Sequence, residues 1–196
     1  MAWSKAGTTT LTGTGSTVSV TVSSISKFMN FITNSISSGG TAAQDLRFGS
    51  GGSVETGSTY AARYSRNGGT DGTPTSDVTV SLYDTTSGEQ FSIGNVINIS
   101  DEEKLGIYSC AVAGTAGAGT APLRQQGVFK NTLSSAQINI MDIEEVYGSG
   151  VYAADSNFTI LGSEGVESMT VQDGAIFYET DTNKAYVLYN GSWTEL

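Results

Sequence analysis

The sequence of 196 residues contains no histidine, one cysteine and two prolines, and only 14% of its residues are charged. Without histidine the chain has no Ser–His or Cys–His nucleophile, no histidine-ligated zinc and no histidine proton shuttle. The single cysteine, Cys110, excludes an intrachain disulfide and a cysteine-cluster metal site. We therefore expect a protein that is not an enzyme, with no catalytic residues, no cofactor and no metal.

The charge that is present is mostly negative. The net charge is −10, and residues 1–139 contribute −1 of it while residues 140–196 contribute −9. An acidic surface repels phosphate backbones, so nucleic acid is not an expected partner. No apolar run approaches the roughly 20 residues of a membrane-spanning helix. The first residues also lack the apolar core of a signal peptide. We therefore expect synthesis in a cytoplasm and no membrane insertion.

Glycine, serine and threonine dominate the composition, with 25, 26 and 25 copies. This bias, with few lysines and glutamates, favours many short strands over a helical bundle. The segment 27–36 fits both a helical and a strand period, and its Thr33-Asn34-Ser35 run favours a strand. Apolar–polar alternation predicts further strands over residues 17–22, 46–48, 59–64, 77–83, 91–99, 105–112, 124–130, 136–143 and 158–161.

These strands predict an all-β fold with two parts. Residues 1–163 are expected to form a β-sandwich of the jelly-roll type. Residues 164–196 are expected to form a three-stranded β-meander with strands at 174–179, 184–189 and 192–195, because Asn190-Gly191 is a strong signal for a tight hairpin. Such a small sheet is marginal alone and needs a partner surface.

Aromatic residues are concentrated in the C-terminal meander. They are candidates for one of two kinds of contact. Exposed rings stack on sugars through their apolar faces and polar tips, and rings on paired strands also pack against each other or against a neighbouring subunit. The candidate glycan or subunit contacts are Tyr178, Tyr186, Tyr189 and Trp193.

Two further kinds of site have weaker support in the sequence. A hydrolase would need a pair of carboxylates in a cleft, for which Asp173, Glu179 and Asp181 could meet across the meander. A calcium site would need acidic loops such as those at Asp71 and Asp181, but neither completes an EF-hand-type loop. We interpret these carboxylates as solvated or as capping their own turns.

Several segments resemble virion proteins of tailed phages, especially marine ones. The opening AWSKAGTTTLTGTGSTVSVT, the segment DLRFGSGGSVETGSTYAARYSRNGG and the stretch NISDEEKLGIYSCAVAGTAGAGTAP carry this resemblance. The stretch AQINIMDIEEVYGSGVYAADSNFTILG is similar to the closing strands of the lectin-like jelly rolls in those proteins, although Asp155-Ser156-Asn157 stands where they usually have Gly-Ser. The final GAIFYETDTNKAYVLYNGSWTEL resembles a small module that ends many phage tail and fibre proteins.

The resemblance implies a viral structural protein located in the virion, as a capsid decoration or as a tail fibre or spike component. It implies partners among other virion proteins and copies of the same chain, with a trimer the expected homo-oligomer. No catalytic position follows from it, because the residues of this family are structural. The alternative is a carbohydrate-binding adhesin or lectin-like module that recognises a host-surface glycan.

Overall fold

The computed structural model of the chain describes residues 3–23, 25–114, 117–132, 136–164, 174–180, 182–190 and 192–196. Within these ranges the protein is all-β and contains no helix. The chain divides into one unit over Ala2–Gly165 and a second over Val166–Leu196. The division predicted from the sequence, between residues 163 and 164, lies two residues before this one.

Short antiparallel strands build both units. In the described part of the first unit the strands are β1 (Ser4–Thr10), β2 (Thr17–Thr21), β3 (Phe28–Ser35), β4 (Ser37–Ser38), β5 (Ala42–Ser50), β6 (Ser53–Val54), β7 (Tyr60–Arg66), β8 (Thr75–Asp77), β9 (Val80–Thr86), β10 (Gln90–Ile97), β11 (Lys104–Val112), β12 (Leu123–Asn131), β13 (Ile140–Glu144), β14 (Val151–Tyr152) and β15 (Asn157–Ser163). In the second unit they are β16 (Ile176–Glu179), β17 (Lys184–Tyr189) and β18 (Ser192–Glu195).

The strand order of the first unit is that of a jelly roll. One sheet has the order β1-β15-β3-β10-β11-β12-β7-β8, and the other has β2-β13-β5-β6 with β9 paired to β5. The four-strand sets β1-β15-β3-β10 and β2-β13-β5-β9 together form two Greek keys, as in an eight-stranded jelly roll. Strands β11, β12, β7 and β8 extend the first set into a wide sheet. The predicted all-β sandwich is confirmed.

The core lies between the two sheets because their inward residues alternate with outward ones. Strand β2 buries Val18 and Val20, and β10 and β11 alternate buried and exposed residues along their whole length. The Phe48 ring of the small sheet packs 5.4 Å from the Phe129 ring of the wide sheet, centroid to centroid. Each fully buried side chain of this size contributes roughly 1.5–3 kcal/mol to folding.

Glycines of the wide sheet face aromatic rings on neighbouring strands. Phe31 lies opposite Gly94 and Phe129 lies opposite Gly106, and in both pairs the ring covers the glycine so closely that a Cβ would collide with it. The Gly127 position lies opposite Tyr108, whose Cε1 would be 2.8 Å from an added Cβ. Only glycine fits at these positions, because the rings approach the backbone too closely to leave room for a Cβ. The large rings can therefore pack across the inner face of the sheet.

Segment 27–36 is a strand, as predicted, since β3 covers Phe28–Ser35. Segment 77–83 differs from the prediction of one continuous strand. Its chain leaves the wide sheet at the end of β8 and enters the small sheet at β9, with a break at Val78-Thr79. The Asp77 side chain accepts a hydrogen bond from the Val78 backbone N–H at this break, and alternation alone cannot reveal such a change of sheet.

Candidate functional site

The four candidate aromatic residues lie in the second unit, on opposite faces of one three-stranded sheet. Leu188 of β17 lies opposite Trp193 of β18, and Tyr189 lies opposite Ser192. Because side chains alternate along a strand, Tyr186 and Trp193 share one face, and Tyr178 and Tyr189 share the other. The structure therefore places two candidates on each face and does not form one surface from all four.

The face that carries Tyr186 and Trp193 holds a cluster of three aromatic rings. Phe177 of β16, which was not among the sequence candidates, has its ring centroid 6.2 Å from Tyr186 and 6.0 Å from Trp193. Leu188 on the same face is only 8% exposed, whereas Trp193 is 46% exposed. We call Phe177, Tyr186 and Trp193 the aromatic cluster.

The opposite face is apolar and open. Ile176, Tyr178 and Tyr189 lie there, and all three are exposed, with Tyr189 at 67%. The Tyr178 hydroxyl donates a hydrogen bond to the Asn183 side-chain oxygen at 3.0 Å, across the turn between β16 and β17. Both faces of this sheet therefore present large apolar side chains to solvent.

Polar groups border the aromatic cluster at the β16–β17 turn. The Tyr186 hydroxyl lies 3.5 Å from the Glu179 carboxylate, which also accepts a hydrogen bond from Thr182 at 2.5 Å. Lys184 forms an ion pair with Glu195 at 2.9 Å, and this hydrogen bond raises the pKa of the lysine. The cluster thus has hydrogen-bonding groups at one end and rings at the other.

The carboxylates considered for calcium or hydrolysis do not assemble into a site among the described residues. Asp71 pairs with Arg63 at 3.1 Å on the surface of the first unit. Asp173 and Asp181 lie outside the described residues, so the predicted meeting with Glu179 is not described. In the part of the chain that the structure describes, no group of three or more acidic, cysteine or histidine residues could hold a metal ion.

The most perturbed carboxyl group belongs to Asp45, on the outward side of the small sheet. Its pKa is raised to about 7, chiefly by burial and also by the nearby Glu145 carboxylate, while hydrogen bonds from Val146, Ser81 and Thr79 act in the opposite direction. Glu145 itself accepts hydrogen bonds from the backbone N–H groups of Ala43 and Gly148. These contacts hold the chain after β13 against β5, so we assign this group to structure.

Cys110 projects from β11 into the sandwich and is buried. Burial raises the pKa of its thiol to about 11. A thiol with a raised pKa is a poor nucleophile because little thiolate forms near neutral pH. Cys110 packs with Tyr83 and Val112, and we assign it to the core as a small apolar residue.

Sequence analysis missed an apolar surface on the outer face of the wide sheet. Strands β10, β11 and β12 carry apolar side chains on both faces, and Ile107 at the centre is 56% exposed. Ile107 lies opposite Val128 on β12 and opposite Asn95 on β10. We call the exposed set the outer patch; it consists of Phe91, Ile93, Ile97, Leu105, Ile107 and Val128. Apolar residues at both odd and even positions of FSIGNVI and LGIYSCAV were the available signal.

Comparison with protein families, curated proteins and solved structures gave no match to this chain. Among the described residues, no helix is long and apolar enough to cross a membrane.

Proposed function

We propose that this chain is a non-enzymatic structural protein of a tailed-phage virion, a capsid decoration or a tail fibre or spike component, that acts by self-assembly. The observation that carries the proposal is the C-terminal sheet, whose two faces both expose large apolar side chains. A three-stranded sheet is near the lower limit of independent stability, and contiguous exposed apolar surface typically marks an interaction site. A neighbouring subunit that covers at least one face would stabilise this unit.

The fold of the first unit supports the proposal by analogy. Double-sheet jelly rolls are common among viral capsid and lectin domains, although a fold alone does not assign a function. The sequence segments that resemble phage virion proteins point to the same class. The net charge of −10 would keep such a subunit soluble before it assembles.

A shortened chain that ends at Ser163 tests the role of the C-terminal sheet. Light scattering after size exclusion should show a closed homo-oligomer for the full chain, with a trimer the expected form, and fewer subunits per particle for the shortened chain. An unchanged number of subunits and an unchanged melting temperature after shortening would contradict the proposal.

Substitutions in the full chain show which face of the C-terminal sheet contributes to association. Trp193→Ser removes a ring from the aromatic cluster and Tyr189→Ser removes one from the opposite face, while Thr194→Ser removes only a methyl group. If a neighbouring subunit covers one of these faces, removal of the ring on that face should weaken the association of subunits. Thr194→Ser should leave the mass of the oligomer unchanged.

Mass spectrometry of purified virions tests the location. Peptides from this chain should be found in particles of a phage whose genome encodes it. Particles that lack the chain would contradict assignment to the virion and would leave self-assembly as a separate property.

A carbohydrate-binding adhesin is the second candidate, and the aromatic cluster is the observation that favours it. Rings with carboxylates and hydroxyls at one end suit a sugar, which presents apolar C–H faces and polar edges. Trp193→Ala should then weaken binding on a glycan array, whereas Tyr189→Ala on the opposite face should not. An intact protein that binds no glycan would exclude this function.

A further inference from the structure

The outer patch is unusual because it faces away from the core of a sandwich that is already complete. Antiparallel sheets with one solvated face normally present polar residues on it. Strands β1 and β15 follow that rule: on the same wide sheet, Thr8 and Thr159 hydrogen-bond to each other at 2.7 Å, and Asn157 donates to Thr10 at 2.7 Å. The apolar surface is therefore a property of β10–β12 and not of the sheet as a whole.

The size of the outer patch is close to what a stable protein contact requires. Its six half-exposed side chains present roughly 500 Å² of apolar surface, at the upper end of what monomers carry. A standard protein–protein contact buries about 800 Å² on each partner, part of it polar. Small residues between the apolar ones, such as Ser109 and Ala111, supply further flat surface.

Two of the positive charges around the patch are paired with carboxylates. Lys130, opposite Leu105, forms an ion pair with Glu103 at 3.1 Å. Arg63, opposite Val128, forms an ion pair with Asp71 at 3.1 Å. Exposed pairs of this kind add little stability, but they balance the charge at these two positions. Arg124, which is exposed and lies opposite Ala111, adds a positive charge at another point of the border.

From these observations we infer that the outer patch is a contact surface for a second copy of this chain. A second copy carries the same net charge of −10, of which residues 140–196 contribute −9, so two copies repel each other on average. The six residues of the outer patch carry no charge, and two of the charges beside it are neutralised by ion pairs, so two copies can meet there with less repulsion than their net charge implies. A strongly charged partner would find no opposite charge among these six residues. Two flat apolar sheet faces also pack well at about 10 Å.

This inference rests on the proposed self-assembly and is tested with full-length variants. Ile107→Lys and Val128→Lys each place a charge in the contact, where an unpaired buried charge should weaken self-association by about tenfold or more. Ile25→Lys is the matched control, because Ile25 is 44% exposed and lies outside the patch. Thr8→Lys is a second control that adds a charge to the polar half of the same sheet.

Light scattering over a hundredfold concentration range gives the mass of each variant, and thermal unfolding shows that each one folds. The inference predicts a smaller mass for both patch variants and the parental mass for both controls. Patch variants that fold and keep the parental mass would overturn the inference, while a loss of subunits on shortening to Ser163 would still support the proposed function. A full chain that stays monomeric throughout would overturn both. A mass that falls equally in the controls would also overturn the assignment to this surface.

Discussion

The two units of this protein use similar strands but bury them differently. In the sandwich, Phe48 is completely buried between two sheets, in contact with Tyr60 and Phe129. In the C-terminal sheet, Phe177 packs on Tyr186 and Trp193 and still remains half exposed. Among the described residues of that unit, only Leu188 counts as buried. Large apolar side chains on paired strands therefore form a core in one unit and an open surface in the other.

The difference shows what a second layer contributes. A sheet is apolar on at least one face and must bury it against another element. The first unit supplies its own second sheet, whereas the described part of the second unit is one three-stranded sheet with exposed apolar side chains on both faces. Exposed aromatic residues in such a sheet do little for its stability until another surface covers them. We therefore expect stability to depend on the first unit and association to depend on exposed sheet faces.

The sharpest contrast is between Phe48→Ala and Phe177→Ala. Removal of the Phe48 ring leaves a cavity in the core and should lower the free energy of unfolding by about 3–5 kcal/mol. Removal of the half-exposed Phe177 ring should cost under about 1 kcal/mol. Urea unfolding followed by circular dichroism measures both. Equal losses for the two variants would contradict the difference in burial.

The stability of the first unit should depend on pH because Asp45 is buried there. Because burial raises its pKa from 3.8 to about 7, the folded state holds a proton that the unfolded state releases between these values. The free energy of unfolding should therefore fall as pH rises from about 4 to about 7, by at most roughly 4 kcal/mol from this group. Asp142, whose pKa burial also raises, acts in the same direction.

Asp45→Asn should flatten this pH dependence and raise the stability of the first unit at pH 8 relative to the parent. Asp155→Asn, which changes an exposed carboxylate, is the control and should keep the parental slope. Thermal unfolding across the pH range measures both. An Asp45→Asn profile parallel to that of the parent would show that this carboxyl does not titrate as its burial requires.

Gly106→Ala tests the close packing of the wide sheet. The new Cβ would collide with the Phe129 ring, and overpacking of this kind typically costs about 1–3 kcal/mol. Gly13→Ala is the control, since no atom lies within 4 Å of a Cβ at that position. The melting temperature should fall for Gly106→Ala alone. An unchanged value would mean that the ring moves aside without loss.

The smallest effect on stability is expected from Ile176→Ser. Ile176 is exposed on the open face of the C-terminal sheet, so the free energy of unfolding of a single chain should change by less than about 0.5 kcal/mol. If this face is a subunit contact, the same variant should reduce the mass of the oligomer. A clear loss of stability in the monomer would show that Ile176 is packed within the chain.

Much of the fold follows from local sequence, and so does part of the candidate site. Alternation identified β2, β10, β11 and β12, and Asn190-Gly191 marked the hairpin, where Asn190 has the positive φ of 48° that such a turn requires. That hairpin also sets the register, because a two-residue turn pairs Tyr189 with Ser192 and so places Trp193 opposite Leu188. The division of the aromatic residues into two faces could therefore have been predicted.

Other features depend on long-range contacts that the sequence does not display. The change of sheet at Val78-Thr79 is stabilised by a hydrogen bond from the Arg47 side chain to the Val78 carbonyl, from a distant strand. The position of Phe177 beside Trp193 depends on the register of β16, which no short turn motif fixes. Apolar residues at both odd and even positions of β10 and β11 signal two apolar faces, but only the packing of the second sheet shows which face is the outer patch.

The most direct test of the central claim is the solution mass of the full chain, measured by light scattering after size exclusion over a hundredfold concentration range. The claim is that exposed apolar sheet faces are contacts between subunits. It predicts a closed oligomer of constant mass, several times the 20.3 kDa of one chain. A mass of 20.3 kDa at every concentration would contradict it.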